Sequence, residues 1–167
     1  MSAASCIRPV YNDQCQAIID LILPIQQKEF NVPVNLEAQP DLLDIDRFYH
    51  VGGGGFWGAF VDDELVGTIG LLNIGNNGGA IRKMFVKKAY RGATYGIGQA
   101  LLNHLLDYST QNSISEIYLG TVGVLQAAMR FYEKNGFSRI EEEKLPSHFP
   151  RMAADHIFYY LSLKQDS

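Results

Sequence analysis

The chain has 167 residues, 47% apolar and 19% charged, with a net charge of −4. That length fits one domain, with a core large enough to fold unaided, and the composition is that of a soluble globular protein. The acidic balance argues against a protein whose main task is to hold nucleic acid, because phosphate binding needs clustered cations. Cys6 and Cys15 make neither a disulfide framework nor a zinc site. Met1 to Arg8 lacks a signal-peptide core, and no apolar run approaches the about 20 residues a membrane span needs. The expectation is a cytoplasmic protein with no membrane partner.

Ile7 to Val10 reads as a short edge strand, because Pro9 cannot donate to a ladder. Asn12 or Asp13 is placed to cap a helix running to about Gln27, with Ile18, Ile19, Ile22 and Leu23 inward and Pro24 kinking or ending it. Phe30 to Pro40 reads as loop. Asp41 then caps a second helix whose Leu42, Ile45 and Tyr49 share a face. Gly52 to Gly55 is a loop rather than a phosphate cradle: no Lys-Ser or Lys-Thr follows, and a strand comes next.

Phe56 to Val61 and Leu65 to Ile74 form a hairpin around Asp62-Asp63-Glu64. After the turn at Asn76 to Gly79, Ala80 to Val86 is a third consecutive strand. Alternation puts Ile81, Lys83 and Phe85 on one side and Arg82, Met84 and Val86 on the other. A helix from about Gly96 to Tyr108 follows, with Ile97, Leu101, Leu105 and Tyr108 on one face and Ala100 and His104 beside them. Ile114 to Leu119 is a strand. Val124 to Lys134 is a helix ended by Asn135-Gly136. Phe137 to Ile140 and Ile157 to Leu163 complete the sheet.

The stretch that carries chemistry runs from Met84 to Leu102. It is a strand, then Lys87-Lys88-Ala89-Tyr90-Arg91-Gly92-Ala93-Thr94-Tyr95-Gly96-Ile97-Gly98, then a helix. Glycines between a strand and a helix let backbone N–H groups converge on an anion, and the helix N-terminus adds unpaired donors and partial positive charge. Lys87, Lys88 and Arg91 supply cation nearby. By itself such a turn is more often a plain helix cap, and its glycine spacing is not that of the dinucleotide fold. A second feature lies downstream, where Leu119-Gly120-Thr121 ends a strand and Phe131-Tyr132-Glu133-Lys134-Asn135-Gly136-Phe137 closes a helix.

Taken together, Met84-Phe85-Val86, Arg91 to Gly98 and Phe131 to Phe137 resemble the GCN5-related N-acetyltransferase (GNAT) superfamily in order and separation, over nearly the whole chain. Val66 to Leu71 also looks like that family's third strand. The resemblance implies a single N-acetyltransferase domain, residues 1–167, of α/β (α+β) class. Its central sheet would be mixed, mostly antiparallel and twisted, with six or seven strands flanked by about four helices, in the order β-α-α-β-β-β-α-β-α-β-β. It implies acetyl-CoA as co-substrate, no metal, and transfer to a primary amine by direct attack on the thioester. The acceptor would be a small molecule or a protein N-terminus, and a homodimer is left open. The cofactor-binding set it implies is Met84, Phe85, Val86, Arg91, Gly92, Ala93, Thr94, Tyr95, Gly96, Ile97, Gly98 and Gln99. The pantetheine arm would lie along the strand ending at Val86, the diphosphate on Gly92 to Gly98, and an N–H near Phe85 would face the acetyl oxygen.

Tyr132 stands where the family places the acid that protonates the departing thiolate. A phenol, with an ordinary pKa of about 10, suits that task. The same residue lies on the apolar face of its helix, where a core tyrosine is equally expected. The sequence departs from the family at three places. Ala93-Thr94-Tyr95 lengthens the loop and brings in the Thr94 hydroxyl. The position of an early fourth-strand Glu falls near Ala80, so no base can be named. Leu125 stands where an Asn often touches the cofactor. A non-catalytic acyl-CoA sensor is therefore the alternative. Glu29 and Glu37 read as solvated charges. His50, His104, His148 and His156 lack ligand spacing, although His148, between Pro146 and Pro150, is placed to border an acceptor site. Trp57 reads as core, and Phe30, Phe48 and Tyr49 are candidates to line an acceptor pocket.

Overall fold

The computed structural model describes residues 5–92, 94–152 and 154–164. Their strands are β1 (Cys6–Pro9), β2 (Gly55–Val61), β3 (Glu64–Gly75), β4 (Gly78–Val86), β5 (Glu116–Thr121), β6 (Ser138–Ile140) and β7 (Ile157–Ser162). Their α-helices are α1 (Cys15–Pro24), α2 (Ile97–Gln111) and α3 (Gln126–Lys134). One seven-stranded sheet runs in the order β1-β2-β3-β4-β5-β7-β6. Only β4 and β5 pair in parallel; every other neighbouring pair is antiparallel. The mixed, mostly antiparallel sheet expected from the sequence is thus present. No helix among the described residues is long and apolar enough to cross a membrane.

Strand β2 is buried along its whole length because it has a core on each face. Trp57, Ala59 and Val61 enter a cluster with Ile97, Leu101 and Leu105 of α2, while Phe56 and Phe60 enter a second with Ile18 and Ile22 of α1. Strands covered on both faces read as continuous apolar runs, as Phe56 to Val61 does. Helix α2 approaches the sheet at Gly67, where a Cβ would stand 3.1 Å from both Ile97 Cγ2 and Leu101 Cδ1.

Two helical expectations change. After Pro24, α1 widens into a π-turn over Ile25–Glu29, closed by the Phe30 N–H on the Ile25 carbonyl at 3.1 Å. Proline offers no N–H to the α-helical ladder, so the bonding pattern shifts there. The second helix resolves into two short turns, Pro40–Leu43 and Asp46–His50. Its inward residues are as expected, with Leu42, Ile45 and Tyr49 buried. Asp41, the expected cap, is spent on a tertiary partner, whereas Asp44 both caps the second turn at the Arg47 N–H and bonds Asn12. Asp41 accepts from the Tyr49 hydroxyl at 2.6 Å. Asp44 and Asp46 bond Asn12, which leaves Asn12 tying two segments together rather than capping α1.

The strict alternation expected in β4 fails at Lys83. Thr68 pairs with Phe85 and Gly70 with Arg82, so Ile69 alone faces Lys83 and Met84. This is a β-bulge, with Lys83 at φ 55°. The extra residue reverses the sides beyond it. Met84 and Val86 pack with Ile81 against the α2 cluster, whereas Phe85 packs on the α1 cluster. Thr68 Oγ1 holds the bulge by donating to the Lys83 carbonyl at 2.7 Å.

Candidate active site

Strands β4 and β5 pair only at their starts, through Gly78 with Glu116, Gly79 with Ile117 and Ala80 with Tyr118. Beyond Ala80 they splay, so β4 from Ile81 to Val86 has no strand on its outer edge among the described residues. The wedge holds two cavities that share Phe30, Met84, Phe85, Leu125, Ala128 and Tyr132 as walls. The larger, about 410 Å³, lies between β4 and α3 and reaches Arg91, Gly92 and Gly98. The smaller, about 130 Å³, lies among Arg82, Lys83, Gly120, Met152 and Asp155.

The predicted set divides around the larger cavity. Met84, Phe85, Val86, Arg91, Gly92 and Gly98 line it. Gly96 takes φ 62° and leads into α2, whose first backbone bond runs from the Ala100 N–H to the Gly96 carbonyl at 3.0 Å. The Gly98 and Gln99 N–H groups find no backbone acceptor among the described residues. Ile97 turns its side chain into the core. Tyr95 packs edge-on to Tyr90, 5.2 Å between ring centres. The Gln99 side chain donates to Asn103 and Asn135. Thr94 is exposed in the turn, and Ala93 lies outside the described residues.

Arg91 is already engaged. Its Nε donates to the Val86 carbonyl at 2.7 Å, and its fork grips Glu29 at 2.5 and 2.8 Å. Glu29 is therefore an ion-pair partner and not a solvated charge. The guanidinium holds its carboxyl below the usual range. This pair joins the turn after α1 to the loop before α2. Lys87 points away from the groove, to Glu64 at 3.1 Å.

Tyr132 sits at the junction of the two cavities. It is buried, packs on Phe137 and Tyr159, and donates its hydroxyl to Met84 Sδ at 3.3 Å. The ring of Tyr132 is core, and the residue also lines both cavities. Burial pushes its phenol well above the ordinary value, so it stays protonated across the neutral range.

In the smaller cavity, Lys83 is buried and lies 3.7 Å from Asp41 Oδ2. Desolvation lowers it to about 8, against the pull of Asp41. Asp155 is raised by burial despite nearby Arg82, Lys83 and Arg151. Phe30 lines this cavity, whereas Phe48 is exposed and Tyr49 is fully buried in the α1 cluster. His148 is exposed, and from its loop Met152, Ala154 and Asp155 reach the cavity instead. Sequence reading missed these three and Arg82, because no periodic pattern marks the segment before β7 and alternation misplaced β4.

The sequence profile of the acetyltransferase (GNAT) family matches residues 19–137. The chain is 27% identical over 135 residues to a probable N-acetyltransferase, camello, of Xenopus tropicalis, covering 79% of this chain and 61% of that one. It spans about six-tenths or less of the length of the first curated relatives it matches. A solved GNAT acetyltransferase structure from Staphylococcus aureus Mu50 is 40% identical, with a TM-score of 0.93, covering 96% of this chain and all of that one. The N-acetylglutamate synthase of Neisseria gonorrhoeae, solved with coenzyme A and N-acetylglutamate, shares the fold alone. It is 18% identical, with a TM-score of 0.75, over 99% of this chain and 36% of that one. The splayed β4–β5 wedge, the glycine turn into α2 and the profile over residues 19–137 agree, and the chain belongs to the GNAT acetyltransferase family.

Proposed function

We propose that this chain transfers an acetyl group from acetyl-coenzyme A to a primary amine. The observation that carries the reading is the unpaired edge of β4 from Ile81 to Val86, running beside an apolar groove toward the turn before α2. Several residues fit the coenzyme. A free strand edge holds an extended ligand with spaced amides as it would an added strand. Val86, Ala128 and Phe131 offer the apolar wall that an alkyl arm needs. The Gly98 and Gln99 N–H groups, at the positive end of α2, suit a diphosphate. The coenzyme A bound by the gonococcal synthase supports the same choice.

When bound, acetyl-coenzyme A supplies an acyl group already activated as a thioester, which a neutral amine attacks directly. The chain's part is placement and charge. The bulge at Lys83 takes backbone out of the β3 ladder beside Met84 and Phe85, which suits an N–H donor to a developing oxyanion. Tyr132, a wall of both cavities whose protonated hydroxyl now donates to Met84 Sδ, would give that proton to the departing thiolate. The walls shared by the cavities hold acceptor and donor in line, which is worth on the order of 7–11 kcal/mol at best.

Thiol release across a panel of amines tests this. At least one amine should accelerate release. Tyr132→Phe should lower kcat by about 10–100-fold while coenzyme A affinity holds within about threefold. Tight coenzyme A binding without release for any amine would turn the reading to an acyl-CoA sensor, and absence of coenzyme A binding would end both.

A further inference from the structure

The smaller cavity holds two charges that the fold leaves uncommitted. Arg82 is half-buried in its wall, and its guanidinium donates to Met152 Sδ at 2.8 Å. A thioether is a weak acceptor and uses little of the guanidinium's donor fork. None of the ion pairs among the described residues includes Arg82. Its neighbour Lys83 is different, because Asp41 lies 3.7 Å from its ammonium.

The opposite charge belongs to Asp155. Its Oδ2 accepts a long bond from the Met152 N–H at 3.4 Å, and it too joins no ion pair among the described residues. The carboxylate leans on β5 at Gly120, where a Cβ would stand only 2.5 Å from Oδ2. Met152 thus lies between the two charges, giving its sulfur to one and its amide to the other. Opposite charges that line one cavity without closing on each other leave room for a ligand that carries both signs.

We propose that this cavity takes an amino acid, with Arg82 holding its carboxylate and Asp155 receiving its ammonium, whose proton passes to the Asp155 carboxylate before the neutral amine attacks. A guanidinium fork matches a carboxylate bidentately, and a desolvated site makes each pair stronger than it is in water. Through Phe85, Leu125 and Tyr132 the cavity shares walls with the groove assigned to the thioester. The inference rests on the acyl-transfer reading and names its acceptor class.

The test compares amino acids with their α-amides as acceptors, read by thiol release. Calorimetry runs alongside, on coenzyme A-loaded protein titrated with N-acetyl amino acids and with the amides of those products. At least one acid should exceed its amide more than tenfold in kcat/KM or in product affinity. Arg82→Gln should collapse that preference toward one by raising KM, and Arg82→Lys should restore part of it. Amides accepted or bound as well as acids would overturn this inference and leave acyl transfer standing. A preference unchanged in Arg82→Gln, with the variant folded by circular dichroism, would overturn it too. Failure to bind coenzyme A at all strikes the acyl-transfer reading first, and this inference with it.

Discussion

Lys83 concentrates more of this protein's physics than any other single residue. It occupies a left-handed φ inside a strand, a conformation costly for a side chain of its size. Thr68 clamps its carbonyl, and its ammonium lies in a buried cluster with Asp41 and Tyr49. Burial lowers the folded-state value to about 8. Above that pH the folded lysine has given up its proton while the unfolded chain still holds one. The unfolded state then binds more protons, and stability rises with pH. We expect denaturant-derived stability to climb on the order of 1–2 kcal/mol between about pH 8 and 10. Lys83→Met should lack that climb. Tyr49, raised by burial, pulls the other way only above its ordinary value near 10, so the window closes there.

Sequence showed part of this residue-scale picture. Arg91 and Tyr132 stand in recognisable motifs. Glu29 does not, because its partner is 62 positions away. Arg82, Met152 and Asp155 meet across 73 positions, and no local spacing encodes such a meeting.

Among the elements, the sites of failure have a common cause. β2 and β3 were legible as apolar runs bounded by turns, and α2 and α3 because burial on one face writes a period into the chain. β4 was legible as a strand but not in its sides, since one bulged residue inverts every side chain beyond it. The segment Pro40 to His50 was legible in its inward residues but not as turns. Asp41 had a helical cap open to it, and Tyr49 and Lys83 won instead.

The same scale yields a test of the wedge. Ala128 on α3 lines both cavities and is small enough to leave them open. Ala128→Phe should fill the passage. Coenzyme A affinity should fall at least about 100-fold, read by calorimetry, while the melting temperature stays within a few degrees. Unchanged affinity would place the ligand elsewhere.

For the molecule as a whole, the sheet separates two cores and then opens between β4 and β5. A ligand seated in that opening binds the folded chain and not the unfolded one. Coenzyme A at about 100 times its Kd should add about 2.7 kcal/mol. For a chain of this size that is a rise of about 5–10 °C in melting temperature, measurable by thermal shift. Dinucleotides at equal concentration should give a smaller rise, since the glycine turn before α2 lies after the fourth strand and does not follow the dinucleotide spacing.

The sequence by itself determined the order of elements and the place of the glycine turn. Both follow from apolar patterning and from backbone freedom at particular residues, which are local properties. The tertiary structure alone decided that β4 and β5 part after three residue pairs. It alone set Arg82 and Asp155 on one cavity and Glu29 on Arg91. Those outcomes are competitions among distant partners for the same charges and donors, and only the folded chain brings the competitors within reach.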